Sequence, residues 1–374
     1  MLPSNTIMTR VAVLGAGAGG CAVAHRFAEQ GFKVSLYDVD EARIKEIRKR
    51  GGVETRGEIE GFQEVEAYAK LSEALRTVDF AVAVVPRYAH QPLAEALAPH
   101  LKGRPIILLP ESTFGAIHLA KTLRERGEHH SAVGGTPTLP YAARLIEPGV
   151  VDVYLVVKTL LFAVFPASKT DELMEILEGV YPQVVRAESV LETSLNNGNP
   201  VTHPAPALLN AARIEAGEDF LFYREGITPS IAWINQRVDE ERLSLCRALG
   251  LREIGVIERL RMLGYIDFDT DNLYEAYVGS RPFSRIKAPK TLQHRYITED
   301  IPYGLVSYAS LGDLLGVETP TMDTLINLAS LLMDVDYWAE GVTMRRLGLE
   351  GLTVEELKEF VEVGASPKVE WARG

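Results

Sequence analysis

Cysteine is scarce in this sequence: Cys21 and Cys246 are the only two in 374 residues. They lie far apart, and neither belongs to a CxxC motif or a histidine-rich segment. We therefore expect neither a disulfide framework nor a metal site. Positive charge is also scarce, since 39 Lys and Arg face 51 Asp and Glu, a formal net charge of −12. This balance argues against nucleic acid and against an anionic membrane as main partners.

Long apolar runs are absent too. The most apolar window, Val150 to Phe165, is interrupted by Asp152 and Lys158 and is followed by Pro166, so it is too short to span a membrane. The N-terminal segment has neither the basic nor the apolar stretch of a secretory signal. A hydrophobic content of 47% and a charged content of 24% are typical of globular proteins. With so few cysteines, we expect a cytoplasmic location.

A glycine-rich turn near the start is the most informative feature. Residues 11–14 are apolar and predict a buried parallel strand, and Gly15, Gly17 and Gly20 follow with GxGxxG spacing. The first two glycines allow a tight turn and the close approach of a pyrophosphate, and Gly20 lets the next helix pack closely. A second predicted strand ends at Asp38, whose carboxylate can accept hydrogen bonds from ribose hydroxyls. The pattern predicts a bound dinucleotide.

Strand-like and helix-like segments alternate through the first half of the chain, which predicts an α/β domain with a doubly wound, mostly parallel sheet of the Rossmann type. Residues 150–165 predict two further strands on that sheet. After about residue 186, amphipathic helical patterns dominate, with long candidates at residues 230–249, 251–263 and 321–347. We therefore expect a dinucleotide-binding domain over residues 1–186, an all-α domain over 187–374, and an active site in the cleft between them.

The turns that follow the predicted strands supply the candidate cofactor contacts, because ligands on such sheets bind beyond the carboxyl ends of the strands. These candidates are Gly15, Ala16, Gly17, Ala18, Gly20, Asp38, Pro86, His90 and Glu111. The Asp38 carboxylate would repel a 2′-phosphate, which favours NAD(H). Arg43 lies nearby in sequence and could offset that charge, so NADP(H) stays open.

A polar segment opens the helical half. It contains Asn196, Asn197 and Asn199 and ends in His203-Pro-Ala-Pro. An enzyme that transfers hydride needs a group that exchanges a proton near neutral pH, and histidine does this best, although a histidine in such a loop can also be structural. Later, an acidic pair ending in Asp300 precedes a Pro-Tyr-Gly turn. This acidic pair either lies at the surface where a helix begins, or it places Asp300 against the histidine, as in a catalytic triad.

Several segments together resemble the octopine/opine dehydrogenase family of NAD(P)-dependent enzymes, and the resemblance runs through nearly the whole chain. Besides the glycine turn, they are residues 138–144, 199–205, 208–215, 299–306 and 316–323. The His-Pro-Ala and Glu-Asp-Ile-Pro-Tyr-Gly segments are the more specific ones, since many unrelated enzymes share the glycine turn. The family uses a histidine and an aspartate as its catalytic pair, and by motif these roles fall on His203 and Asp300.

The resemblance implies a reductive condensation. A 2-oxo acid and the amino group of an amino acid or related amine form an imine, to which NAD(P)H delivers a hydride. In this scheme His203 shuttles the proton and Asp300 holds its tautomer. Asn199 is expected to hydrogen-bond the substrate or the nicotinamide amide.

Carboxylate substrates also require cations. Arg281, Arg285 and Arg295 precede the acidic pair in sequence, and Arg213 follows the histidine segment. Of these, Arg281 and Arg295 are the chosen candidates for substrate binding, and Tyr141 joins them from the segment at 138–144. Each of these arginines is also compatible with an ordinary surface or ion-pairing role.

Two rival functions stay open. One is a 2-hydroxy-acid/2-oxo-acid oxidoreductase that resembles ketopantoate reductase or glycerol-3-phosphate dehydrogenase, enzymes that rely on a catalytic lysine, for which Lys158 is the best placed candidate. The other is a non-catalytic dinucleotide sensor. The sequence does not name the amino donor, the 2-oxo acid or the physiological direction. The apolar helices after residue 320 could bury a homodimer interface or only the domain core.

Overall fold

The computed structural model describes residues 9–373, so the segment interpreted above as lacking a signal lies mostly outside the described residues. The chain forms two compact units. Unit 1 comprises residues 1–111, 115–190 and 362–364, and unit 2 comprises residues 112–114, 191–361 and 365–374.

Unit 1 contains two β-sheets with helices. Its strands are β1 (Arg10–Leu14), β2 (Lys33–Tyr37), β3 (Gly52–Gly57), β4 (Gly61–Glu64), β5 (Glu66–Tyr68), β6 (Phe80–Ala83), β7 (Ile106–Leu108), β8 (Val133–Gly135), β9 (Tyr141–Glu147), β10 (Val150–Val156), β11 (Leu160–Phe165) and β12 (Val184–Arg186). Its helices are α1 (Ala18–Glu29), α2 (Glu41–Arg50), α3 (Leu71–Ala74), α4 (His90–Leu101), α5 (Gly115–Glu125) and α6 (Thr170–Val180).

The larger sheet has eight strands in the order β12-β11-β8-β7-β6-β1-β2-β5. Its central pairs are parallel, and β11 runs antiparallel to β8. The apolar residues of β1 from Val11 to Leu14 are fully buried, as expected for a central parallel strand covered on both faces. Because Leu14 pairs with both Tyr37 and Ala83, the carboxyl ends of β1, β2 and β6 meet at one edge. The predicted α/β Rossmann class is confirmed.

A second, four-stranded sheet with the order β4-β3-β10-β9 was not predicted. The expectation that residues 150–165 add two strands to the main sheet is wrong for β10, and only β11 joins that sheet. Gly149, with a φ of 80°, lies between β9 and β10, and these two strands pair antiparallel. The other edge of β10 pairs with β3. Strand β10 therefore pairs with its neighbour in sequence, β9, instead of adding to the main sheet. Helix α1 packs against this second sheet.

Unit 2 is helical, and between residues 191 and 361 its β-structure is a single isolated bridge, Leu221 to Lys287. Its helices are α7 (Val190–Leu195), α8 (Asn199–Thr202), α9 (Pro204–Leu209), α10 (Ala211–Glu215), α11 (Pro229–Ala248), α12 (Val256–Leu263), α13 (Leu273–Gly279), α14 (Arg295–Thr298), α15 (Val306–Leu315), α16 (Pro320–Met333), α17 (Tyr337–Glu340), α18 (Met344–Leu347) and α19 (Val354–Val363). A π-helical turn, Ile301–Leu305, leads into α15. The long helix α11 packs against α8, α9, α13, α15 and α16.

The predicted helix at 321–347 is interrupted in the structure. Asp334 takes a left-handed conformation with a φ of 53°, which ends α16, and the Asp336 side chain caps α17. Thr353 and Glu356 form a capping box at the start of α19, since each accepts the other's backbone N–H. Among residues 9–373, no helix combines the length and apolar character needed to cross a membrane.

Candidate active site

The glycine turn joins β1 to α1 and leaves room beside one of its glycines. Gly15 has a φ of +105°, and a Cβ there would lie 2.4 Å from the Val84 carbonyl oxygen. A Cβ at Gly20 would lie 1.8 Å from the Gly15 oxygen, so both positions require glycine for internal packing. Gly17 differs, because a Cβ there would meet nothing within 4 Å. This open space lies at the N-terminus of α1, which has no side-chain cap, so the turn fits a pyrophosphate.

The Asp38 carboxylate closes this turn from the end of β2. It is 7% exposed; Oδ2 accepts the Ala16 N–H at 2.6 Å and the Arg43 Nη1–H at 3.0 Å. Its other oxygen accepts the Asp40 N–H at 2.9 Å. The carboxylate thus fixes the shape of the turn and carries a salt bridge to Arg43, whose side chain is 29% exposed. An acid and an arginine therefore lie together where the sequence predicted recognition of the adenosine ribose.

Two of the predicted cofactor contacts are buried. His90 and Glu111 are 1% and 0% exposed. Glu111 Oε2 accepts the Ala116 N–H at 2.9 Å in the first turn of α5, so this carboxylate satisfies a helix terminus. Burial, with the nearby charge of Arg87, holds the pKa of His90 well below its usual range, so this imidazole is neutral. Both are interior residues of unit 1, whereas Pro86 is exposed after β6.

Replacing Gly17 with alanine provides a direct test of the pyrophosphate site. Its φ of −73° suits any residue, and the new methyl group would meet no protein atom within 4 Å. We expect an unchanged melting temperature but an affinity for NADH about 10-fold to 100-fold lower, since the methyl group would occupy space needed by the phosphates. Thermal unfolding and NADH fluorescence titration measure the two effects. An unchanged affinity would show that no ligand approaches Gly17.

The structure brings His203 and Asp300 together in unit 2. His203 follows α8, and its Nδ1 lies 2.7 Å from Asp300 Oδ2. A carboxylate only accepts, so Nδ1 carries the hydrogen and Nε2 presents its lone pair. Nε2 lies 2.9 Å from the Tyr223 hydroxyl, which therefore donates to it. Burial, with Tyr296 nearby, raises the pKa of Tyr223 well above its usual range, so the hydroxyl keeps its proton.

Aromatic rings fix the orientation of this imidazole, and the sequence analysis missed them. The Tyr296 ring stacks on His203 with centroids 4.0 Å apart, and the Phe283 ring stacks on Tyr223 at the same centroid distance. His203 and Asp300 are only 8% and 4% exposed, so the pair is held in a largely buried setting. The clustered aromatic residues at 220–223 and the position of Tyr296 shortly before the segment at 299–306 were the available signals.

Asn199 lies close to His203 in the chain because both belong to the same short helical turn. The Asn199 carbonyl accepts the His203 N–H at 3.0 Å, and residues four apart share one face of a helix. Asn199 is only partly buried, and its backbone N–H is held by the side chain of Asn197 at 3.2 Å. The amide side chain is thus placed on the same face as the histidine.

The predicted substrate contacts have different surroundings. The Arg295 side chain is 45% exposed and pairs with Glu299 at 3.1 Å. Arg281 is exposed and begins the turn that carries Phe283, the ring stacked on Tyr223, and Arg285, also exposed, ends that turn. Arg213 pairs with Glu218 and lies over the Phe220 ring, which gives it a structural role. The ion pair and the ring contact therefore explain the position of Arg213 without a bound substrate.

Tyr141, a predicted substrate contact, is a core residue of unit 1. It begins β9 in unit 1 and is 4% exposed. Its ring lies 6.0 Å from that of Tyr181, which is also buried. In the described part of the chain, no group of three or more His, Cys, Asp or Glu is arranged to hold a metal ion.

The chain is similar to known proteins over nearly its whole length. A family model described as NAD/NADP octopine/nopaline dehydrogenase, alpha-helical domain, matches residues 186–333. A second, described as NAD-dependent glycerol-3-phosphate dehydrogenase N-terminus, matches residues 10–130. The opine dehydrogenase of Arthrobacter sp. (strain 1C) is 38% identical over 354 residues, which cover 94% of this chain and 98% of the relative.

Two solved structures show the shared fold. Octopine dehydrogenase with NADH and L-arginine has a TM-score of 0.77 at 20% identity, and the match covers 96% of this chain and 98% of that one. Yersinopine dehydrogenase with NADP+ bound has a TM-score of 0.73 at 16% identity, over 95% and 98% of the two chains. Identity and coverage together establish the relationship. The chain belongs to the octopine/opine dehydrogenase family of NAD(P)-dependent oxidoreductases that act on CH–NH bonds.

Proposed function

We propose that this enzyme condenses a 2-oxo acid with the amino group of an amino acid and reduces the resulting imine, or catalyses the reverse oxidation, with His203 as proton carrier. The observation that carries the proposal is the buried hydrogen bond of 2.7 Å between His203 Nδ1 and Asp300. It leaves Nε2 as the basic atom, which is the state a proton carrier requires.

The proposed roles follow the atoms that change. As the C–N bond forms, Nε2 of His203 accepts a proton from the amino group. It delivers that proton to the former carbonyl oxygen, which gives the carbinolamine. The second N–H proton follows by the same route, so the hydroxyl leaves as water and the imine forms. When the hydride later reaches the imine carbon, the nitrogen takes up one proton from solvent. The substrate replaces the Tyr223 hydroxyl at Nε2, or reaches Nε2 through it, because a hydroxyl can both donate and accept. Asp300 holds the tautomer and stabilises the imidazolium in between.

The dinucleotide supplies the hydride that reduces the imine carbon, and the turn from Gly15 to Gly20 is proposed to hold its pyrophosphate. Asn199 is proposed to orient the substrate or the nicotinamide amide. Arg281 and Arg295 are proposed to bind substrate carboxylates, supported by their exposure and, for Arg281, by its position at the start of the turn that contains Phe283.

We propose a preference for NAD(H), and Asp38 provides the test. Asp38→Asn keeps an oxygen for the Ala16 N–H but removes the charge that would repel a 2′-phosphate beside Arg43. We expect the ratio of kcat/KM for NADPH to that for NADH to rise about 10-fold. Steady-state kinetics with both cofactors give the ratio, and Arg43→Gln is expected to lower it. A ratio unmoved by either substitution would remove Asp38 and Arg43 from cofactor selection.

The rival reductase of the lysine-dependent type is not supported by the described lysines. Lys158 is exposed in unit 1. In unit 2, Lys287 and Lys290 pair with Asp219 on the surface, and Lys368 pairs with Glu356.

The proposed function is tested by following NADH absorbance with pyruvate and a panel of amino acids. Oxidation that requires both an oxo acid and an amine is the expected result. Oxidation with the oxo acid alone would replace the proposal with a simple reductase. Binding of NADH without turnover on any pair of substrates would favour the dinucleotide sensor.

A further inference from the structure

A buried arginine in unit 2 has no partner. Arg259 lies on α12 and is 6% exposed, and its Nη1 atom is buried without a hydrogen-bond partner. No hydrogen bond or ion pair joins its guanidinium to any residue in the range 9–373. A buried charge without a counter-ion destabilises a fold, so such a residue requires an explanation.

The nearby charges do not neutralise it. Asp239 is the buried carboxylate that acts on Arg259, but its Oδ1 accepts from Arg242 Nη2 at 2.7 Å and its Oδ2 accepts from the Val256 N–H at 2.7 Å. Arg242, fully buried, adds a second positive charge. Burial and Arg242 together lower the pKa of Arg259. Two buried guanidinium groups therefore share one carboxylate that Arg242 already binds, which leaves an excess of positive charge.

The guanidinium lies against the polar segment that leads to His203. A Cβ at Gly198 would lie 2.7 Å from Arg259 Nε and 2.8 Å from Nη2. The φ of −82° and ψ of −16° at Gly198 suit any residue, so the guanidinium rather than the backbone excludes a side chain here. Gly198 precedes α8, and His203 follows it. At about 1.5 Å per residue, the backbone rises about 7.5 Å from Gly198 to His203, which puts the two residues within reach of one small carboxylic acid.

We propose that Arg259 binds the carboxylate of the 2-oxo acid. The inference rests on the proposed function, which joins two carboxylic acids and therefore needs two cationic sites. Arg281 and Arg295, both exposed to solvent, suit the variable amino-acid partner. The buried Arg259 suits a small anion, and the bound carboxylate supplies the missing counter-ion.

The test compares Arg259→Met with the wild type. We expect the KM for pyruvate to rise about 100-fold, with an unchanged KM for NADH, because a buried charge pair is lost. The melting temperature of the free protein should stay the same or rise, since an uncompensated charge has been removed. Arg259→Lys should recover part of the loss. Arg237→Met, at an exposed ion pair on α11, is the matched control. It should change neither the KM for pyruvate nor the melting temperature.

A second variant keeps the charge but displaces it. Gly198→Ala should push the guanidinium away and also raise the KM for pyruvate. A lowered melting temperature in Arg259→Met with an unchanged KM would assign Arg259 to structure and overturn the proposal. If Arg259→Met does not fold, an unchanged KM in Gly198→Ala would overturn it equally.

Binding measured without turnover separates this inference from the proposed function. Pyruvate should raise the melting temperature of the wild type with NADH present, but not that of Arg259→Met. If no pair of substrates is turned over while this difference persists, the proposed function fails and the anion site stands. If turnover is seen but pyruvate protects both proteins equally, only the Arg259 inference fails.

Discussion

His203→Ala is expected to lower kcat about 1000-fold while leaving the dissociation constant for NADH unchanged. The substitution removes Nε2, the atom proposed to carry the proton, and leaves the glycine turn intact. Stopped-flow or steady-state assays give kcat, and fluorescence titration gives the NADH affinity. A variant that kept most of its rate would exclude His203 from proton transfer.

The alanine variant also leaves the Asp300 carboxylate buried without its partner, which costs about 1–3 kcal/mol of stability. His203→Asn is the sharper variant, because its amide can still donate to Asp300 but cannot carry a proton. It should be folded and equally inactive. His129→Ala, at an exposed histidine of unit 1, is the matched control and should keep full activity.

Asp300→Asn is expected to lower kcat at least about 100-fold with little change in the melting temperature. The asparagine amide can donate to Nδ1, which favours the tautomer with hydrogen on Nε2. That tautomer cannot accept a proton from the amino group, and the imidazolium loses its counter-charge. Steady-state kinetics in both reaction directions give kcat, and thermal unfolding gives the melting temperature.

Two comparisons complete that experiment. Asp313→Asn, at an exposed position on α15, should behave as the wild type. Asp300→Glu retains a carboxylate but moves it by one methylene, so it should recover part of the rate lost in Asp300→Asn. A rate in Asp300→Asn near that of the wild type would mean that the hydrogen bond of 2.7 Å has a purely structural role.

The sequence predicted the sites that depend on local pattern. The glycine turn and the helical second half follow from spacing and periodicity, and the resemblance identified the His203 and Asp300 segments. The second sheet was not predictable in the same way. Strand β3 reads Gly-Val-Glu-Thr-Arg-Gly, too polar to signal a strand, and its partner β10 lies far along the chain. Non-local pairing, rather than propensity, makes it a strand.

Three of the predicted contacts are buried in unit 1. His90, Glu111 and Tyr141 carry chemistry that suits a ligand, and their positions in sequence suit it as well. The structure encloses all three, because helix capping and core packing use the same polar and aromatic groups that binding uses. Tyr223 was missed because only the folded chain brings its hydroxyl to the His203 imidazole.

Gly17 and Gly20 should respond differently if a descendant of this protein no longer binds a dinucleotide. A side chain at Gly20 would clash with the backbone of the turn itself, whereas Gly17 faces space that none of residues 9–373 fills. A gene copy that is no longer selected for nucleotide binding would still have to encode a folded protein. It would therefore retain Gly20, whereas Gly17 could be replaced. Substitution at the second glycine with the third intact is thus the expected mark of a descendant that has lost its redox activity.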